Sequence, residues 1–134
     1  MKKLLVLLIP FLFITNAYSQ NTAEEYNNRG VSKYEIGDYR GAITDFTRAI
    51  EINPNDAMVY NNRGIAKGGL GDHRGAITDY TRAIEINPKF AKAYQVRGLS
   101  KLLLGQKDSG CMDLSRAGEL GYATAYEAIR EYCN

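Results

Sequence analysis

The sequence predicts an all-α fold: an α-α superhelix, or solenoid, of three 34-residue helix-turn-helix repeats closed by a C-terminal capping helix. Three observations lead there. The chain repeats itself: Tyr26 to Pro54 and Tyr60 to Pro88 are identical at 22 of 29 positions. A third copy from Tyr94 keeps only 10 of 29, among them Arg97, Gly98, Lys101, Gly105, Asp113 and Ala117. A fixed period in this range is the mark of a stacked array. Glycine and proline then punctuate each copy at the same places, Gly37-Asp38 and Gly71-Asp72 within it, Asn53-Pro54 and Asn87-Pro88 at its end. Finally, 45% hydrophobic residues against 24% charged ones are enough to build a core, which excludes a disordered chain.

The elements follow in order. Lys2 and Lys3 precede an apolar run from Leu4 to Ile14, and Ala17-Tyr18-Ser19 places small residues ahead of Gln20. This is the layout of a secretory signal peptide over residues 1–19. Eleven residues make roughly 16 Å of helix against about 30 Å of hydrocarbon, so cleavage is expected rather than a transmembrane anchor. The first cysteine is Cys111, so no lipid anchor is expected either. The short basic start looks bacterial and implies the periplasm or secretion beyond it. Loss of Lys2 and Lys3 leaves 15 basic residues facing 15 acidic ones. A net charge near zero argues against a polycation built to coat nucleic acid.

From residue 20 to 122 the repeats are expected at about 23–56, 57–90 and 91–122. The first helix of repeat one should run from about Ala23 to Ile36, opened by a Thr22-x-x-Glu25 capping box. The second should run from about Tyr39 to Ile52, because the residue before a proline is driven out of the helical region. Small residues recur where the two helices should touch, Gly30 with Ala42, Gly64 with Ala76 and Gly98 with Gly110, with Tyr26, Phe46, Tyr60, Tyr80, Tyr94 and Leu114 beside them. Repeat three degrades as a terminal unit should. Thr124-x-x-Glu127 then opens a short helix in 123–134 whose inward face is expected at Tyr126 and Ile129.

Few residues offer chemistry. Cys111 and Cys133 are the only cysteines, and an even count in an exported chain favours a disulfide closing a loop, worth roughly 3 kcal/mol. They lack the C-x-x-C spacing of a redox-active pair. His73 is the only histidine and stands where Tyr39 and Lys107 stand in the other copies, so it is expected to be a surface residue and not a metal ligand. Arg29, Arg63 and Arg97 each precede an aspartate by sixteen residues, Asp45, Asp79 and Asp113. Ion pairs tying the two helices of each repeat are the expected reading, an anion-binding ladder the alternative. No catalytic triad, phosphate loop or metal cluster is visible, so no enzyme, cofactor or metal is expected.

Tyr26, Gly30, Ala42, Phe46, Ala49 and Pro54, repeated at Tyr60, Gly64, Ala76, Tyr80, Ala83 and Pro88 and in part at Tyr94, Gly98, Gly110, Leu114 and Ala117, resemble the tetratricopeptide repeat family. Two departures stand out: Lys33, Lys67 and Lys101 replace a frequent tyrosine, and Arg29, Arg63 and Arg97 a leucine. The resemblance implies a concave groove lined by the first helices. Its expected peptide-binding residues are Asn27, Asn28 and Val31, then Asn61, Asn62 and Ile65, then Lys92, Gln95 and Leu99, with Tyr34 and Val96 beside them. Amide side chains suit an extended peptide backbone, and Val31, Ile65 and Leu99 form an apolar strip. Of the five positions that clamp a terminal carboxylate in some members, here Asn27, Val31, Asn62, Lys92 and Val96, only Asn62 and Lys92 fit. The resemblance implies a non-catalytic exported adaptor that binds a protein or peptide segment. The alternative is a structural, self-associating repeat protein without a dedicated ligand.

Overall fold

The computed structural model describes the backbone of residues 8–134 and the side chains from Thr22 onward. Seven helices follow one another: α1 Leu8–Glu35, α2 Tyr39–Ile52, α3 Ala57–Gly69, α4 His73–Ile86, α5 Ala91–Leu103, α6 Lys107–Glu119 and α7 Thr124–Tyr132. The described residues contain no strand, and no helix long and apolar enough to cross a membrane. Consecutive helices pack as antiparallel neighbours, pairing α1 with α2, α3 with α4 and α5 with α6, and each pair stacks on the next. The expected signal peptide, residues 1–19, lies outside the described side chains. Its backbone from Leu8 is helical and runs unbroken into α1. Thr22-x-x-Glu25 therefore does not open a helix here: with helical residues before it, the amides a cap would satisfy already have carbonyls one turn back.

The turns inside the repeats follow from single residues. Gly37, Gly71 and Gly105 adopt φ of 82°, 81° and 79°, a region closed to most side chains. Asp38 and Asp72 then cap α2 and α4 by accepting from the amides of Gly41 (3.0 Å) and Gly75 (2.9 Å). Asn53 and Asn87 end those helices in extended conformation, as the prolines behind them require. Where repeat three has no proline, Gly121 at φ 94° makes the stop instead.

The core is narrow and built on alanine: Ala42, Ala49, Ala66, Ala76, Ala83, Ala93 and Ala117 are all buried. Close approach was expected from small residues meeting small ones. In repeats one and two the glycine also receives a ring. A Cβ on Gly30 would stand 2.6 Å from Phe46, and one on Gly64 2.5 Å from Tyr80. Repeat two keeps the expected pair as well, a Cβ on Gly64 standing 3.1 Å from the Ala76 carbonyl, and in repeat three, where Leu114 replaces the ring, a Cβ on Gly98 would meet the Gly110 carbonyl at 2.8 Å. Burial pushes the Tyr80 phenol above its ordinary range, and a hydrogen bond with Ser100 offsets part of the rise.

The capping helix is present, with two corrections. Thr124 caps nothing; its hydroxyl donates to Gln95 Oε1 at 2.9 Å. Tyr126, expected to point inward, is 53% exposed and lies across Gly118, while Ala125 is the buried residue of α7. Ala125 occupies the innermost position of α7, which turns the next residue, Tyr126, to the side, where its ring rests on Gly118. Ile129 is half-buried, as its spacing predicts.

Candidate functional site: the concave groove and its supporting ladder

The sixteen-residue spacing is realised three times. Arg29 Nε and Nη2 donate to Asp45 at 2.9 and 2.7 Å, Arg63 to Asp79 at 2.9 and 2.8 Å, and Arg97 to Asp113 at 2.8 and 2.8 Å. These are two-pronged pairs across the two helices of one repeat, the strong geometry for arginine and carboxylate. Sequence reasoning missed the second cation. Lys33, Lys67 and Lys101, one turn further along the first helix, reach the same carboxylates at 2.9, 3.0 and 2.8 Å. The signal was present, since i and i+4 share a helix face and all three lysines recur with the arginines. Arg63 also donates to Thr47 and Arg97 to Thr81, each at 3.3 Å, so the ladder joins neighbouring repeats as well. The aspartates are buried. The Arg29 guanidinium, assisted by Lys33, holds Asp45 down to about 2 against the opposing effect of burial.

Behind the ladder the arginines stack on tyrosines, Arg29 at 4.9 Å and Arg48 at 5.5 Å over Tyr26, and Arg63 at 5.7 Å and Arg82 at 5.9 Å over Tyr60. With its charges committed to carboxylates and rings, this network braces the first helices. It fixes the face they turn the other way.

That face holds a pocket of about 450 Å³ spanning α1, α3 and α5. Of the nine residues expected in the groove, Val31, Asn62, Ile65 and Lys92 meet in it, joined by Tyr34, Glu35, Phe46 and Val96. The floor is apolar; Lys92, Glu35 and Asn62 supply the polar groups. The other five part company. Asn27 Oδ1 accepts from Asn62 Nδ2 at 3.3 Å and lines a separate 260 Å³ pocket with Asn53, Asp56 and Val59. Asn28 is exposed outside both, its carbonyl accepting from Ser32 Oγ at 3.2 Å. Asn61 corrects the expectation outright: it is 1% exposed, with a buried Oδ1 that has no hydrogen-bond partner. Gln95 is engaged by Thr124. Leu99 lines a different cleft with Leu102, Leu103 and Tyr132.

Asn27, Asn61 and Gln95 occupy one register position yet meet three environments, because that position faces the neighbouring repeat and not the open groove. Glu35 and Phe46 gave no sequence signal as lining residues, Phe46 reading as an interhelical ring alone. Cys111 and Cys133 are bonded at 2.05 Å with Cα atoms 5.9 Å apart, joining α6 to the end of α7. Among the described residues no cluster of His, Cys, Asp and Glu is arranged to hold a metal ion.

The Tetratricopeptide repeat profile matches residues 23–56 and 57–90, just over half of the sequence, and the chain belongs to that family. The third repeat escapes the profile but packs as the first two do. Comparison with curated proteins finds no match. Among solved structures, the Arabidopsis OM64 TPR domain is 26% identical with a TM-score of 0.79, over 84% of this chain and 98% of that one. The second TPR domain of human RPAP3, in complex with HSP70 peptide SGPTIEEVD, is 25% identical with a TM-score of 0.77, over 84% and 98%. MamA is 31% identical with a TM-score of 0.73, over 78% of this chain and 61% of MamA.

Proposed function

We propose that this protein is a non-catalytic exported adaptor, periplasmic or secreted, that binds an extended protein or peptide segment in its concave groove. One observation carries the reading: first helices from three repeats converge on a single 450 Å³ pocket with an apolar floor and a rim of Asn62, Lys92 and Glu35. Pockets of this size with a few placed polar groups suit one bulky apolar side chain and the backbone that carries it. The related domain of human RPAP3 in complex with an HSP70 peptide supports the use of such a fold for peptide capture. The ligand differs in kind, however. Val31 and Val96 stand where a clamp for a terminal dicarboxylate needs polar or basic groups, so an apolar anchor is preferred over an acidic tail.

Display selection of random peptides against the native protein and an Ile65→Glu variant tests this. Peptides sharing an apolar anchor should be enriched by the first and lost by the second. Failure to enrich any peptide, or equal binding to both, would refute the groove reading and leave self-association as the better one. The export component has its own check: the protein recovered from the periplasm or medium should begin at Gln20.

A further inference from the structure

The covalent bond at the C-terminus stands apart from everything the groove reading uses. α7 has nine residues, too few to persist as an isolated helix, and its N-cap residue Ala123 offers no side-chain hydrogen bond. Its first turn is held by buried Ala125, by the ring of Tyr126 across Gly118 and by the Thr124 to Gln95 hydrogen bond. At its far end Cys133 is bonded to Cys111 on α6. Tyr132, the residue before that bond, is the α7 wall of an apolar cleft of about 390 Å³ whose other walls are Leu99, Leu102 and Leu103. Cys111 also lines a separate, broad surface cleft of about 700 Å³, beside Tyr94, Met112 and Arg116. Cys111 and Cys133 are both half-buried, so the bond is not sealed in the core, and access is what exchange with external thiols requires.

We propose that the Cys111–Cys133 bond is a redox latch that fastens α7 and so builds the Leu99–Tyr132 cleft, while the three repeats fold without it. Opening is a thiol–disulfide exchange with a dithiol. Its thiolate attacks Cys111 Sγ, the Cys111–Cys133 bond breaks, and Cys133 leaves as a thiolate that takes up a proton. The second thiol of the reductant then displaces Cys111 and closes its own disulfide. Two electrons pass from the dithiol to the protein, which ends with two thiols. Helices α5 and α6 keep their own fastenings, the Arg97 and Lys101 pairs to Asp113 and the close contact of Gly98 with Gly110. Opening therefore removes Tyr132 from the cleft without dissolving repeat three.

Hydrogen exchange of the purified protein, before and after reduction with dithiothreitol and with thiols counted to verify cleavage, tests the latch. Amides of Ala128 to Cys133 should exchange about a hundredfold faster once reduced, the scale of the closed loop's contribution, while α5 and α6 stay protected. A Cys133→Ser variant should show the reduced pattern without dithiothreitol. Unchanged α7 protection after complete reduction overturns the proposal. So does loss of protection in α5 and α6 together with α7, or failure of the variant to fold, since either makes the bond a staple of the whole domain.

Discussion

At the scale of single residues, the buried aspartates carry the most exposed prediction. Asp79 has two cations, Arg63 and Lys67, both largely covered. Asp79→Asn leaves them unpaired and should lower unfolding stability by about 3 kcal/mol, read from urea denaturation. Asp45→Asn should cost less, because Arg29 stands half in water and can be resolvated. The same pair sets an acid dependence. Asp45 titrates near 2 when folded and near 3.8 when unfolded, so its contribution is complete above about pH 4 and vanishes as pH falls toward 2. Unfolding stability from urea denaturation should drop over that window, by no more than about 2.5 kcal/mol for this group, and Asp45→Asn should flatten that part of the fall. Arg and Asp were legible from their spacing alone. The lysines were less legible as partners, because a cation one turn along a helix reads equally well as a solvated surface charge until the second helix is packed against it. Asn61 was misread because a position's exposure depends on the repeat stacked beside it, which periodicity within one helix does not report.

At the scale of elements, glycine separates two roles that look alike in sequence. Gly98 and Gly68 both lie inside first helices, yet a Cβ at Gly98 meets the Gly110 backbone at 2.8 Å while one at Gly68 finds nothing closer than 3.8 Å. Gly98→Ala should destabilise by about 2 kcal/mol, since backbone cannot step aside. Gly68→Ala should stabilise by up to about 1 kcal/mol through helix propensity. Thermal unfolding of the two variants side by side decides this. Apart from the start of α1, helix boundaries in the first two repeats were legible because prolines and Gly-Asp turns fall at the junctions. The last repeat and α7 were less so. There the periodic residues fade, and the α7 stripe of Ala125, Ala128 and Ile129 is built on small residues that a neighbouring Tyr126 outweighs in sequence.

At the scale of the whole molecule, the ladder and the groove are two faces of one arrangement. Ion pairs within repeats and Arg-to-Thr bonds between them lock the first helices in register, and the locked register presents Val31, Ile65 and Val96 beside Asn62 and Lys92. That the first helices line the groove was legible from the family resemblance. Which of the nine expected residues converge was not, because convergence depends on the superhelical angle between repeats and on which side chains the next repeat covers. If the groove is the working surface, Lys92→Ala should weaken binding of a selected peptide severalfold without changing the unfolding midpoint, since Lys92 is exposed and has no ion pair among the described residues. The central claim is that a peptide enters the concave pocket and not the convex face. The most direct measurement is an NMR titration of the native protein with the peptide that display selection enriches. Shifts concentrated at Val31, Tyr34, Asn62, Ile65, Lys92 and Val96 are the predicted result. Shifts concentrated instead at Arg48, Arg82 and Met112 on the second helices would contradict it.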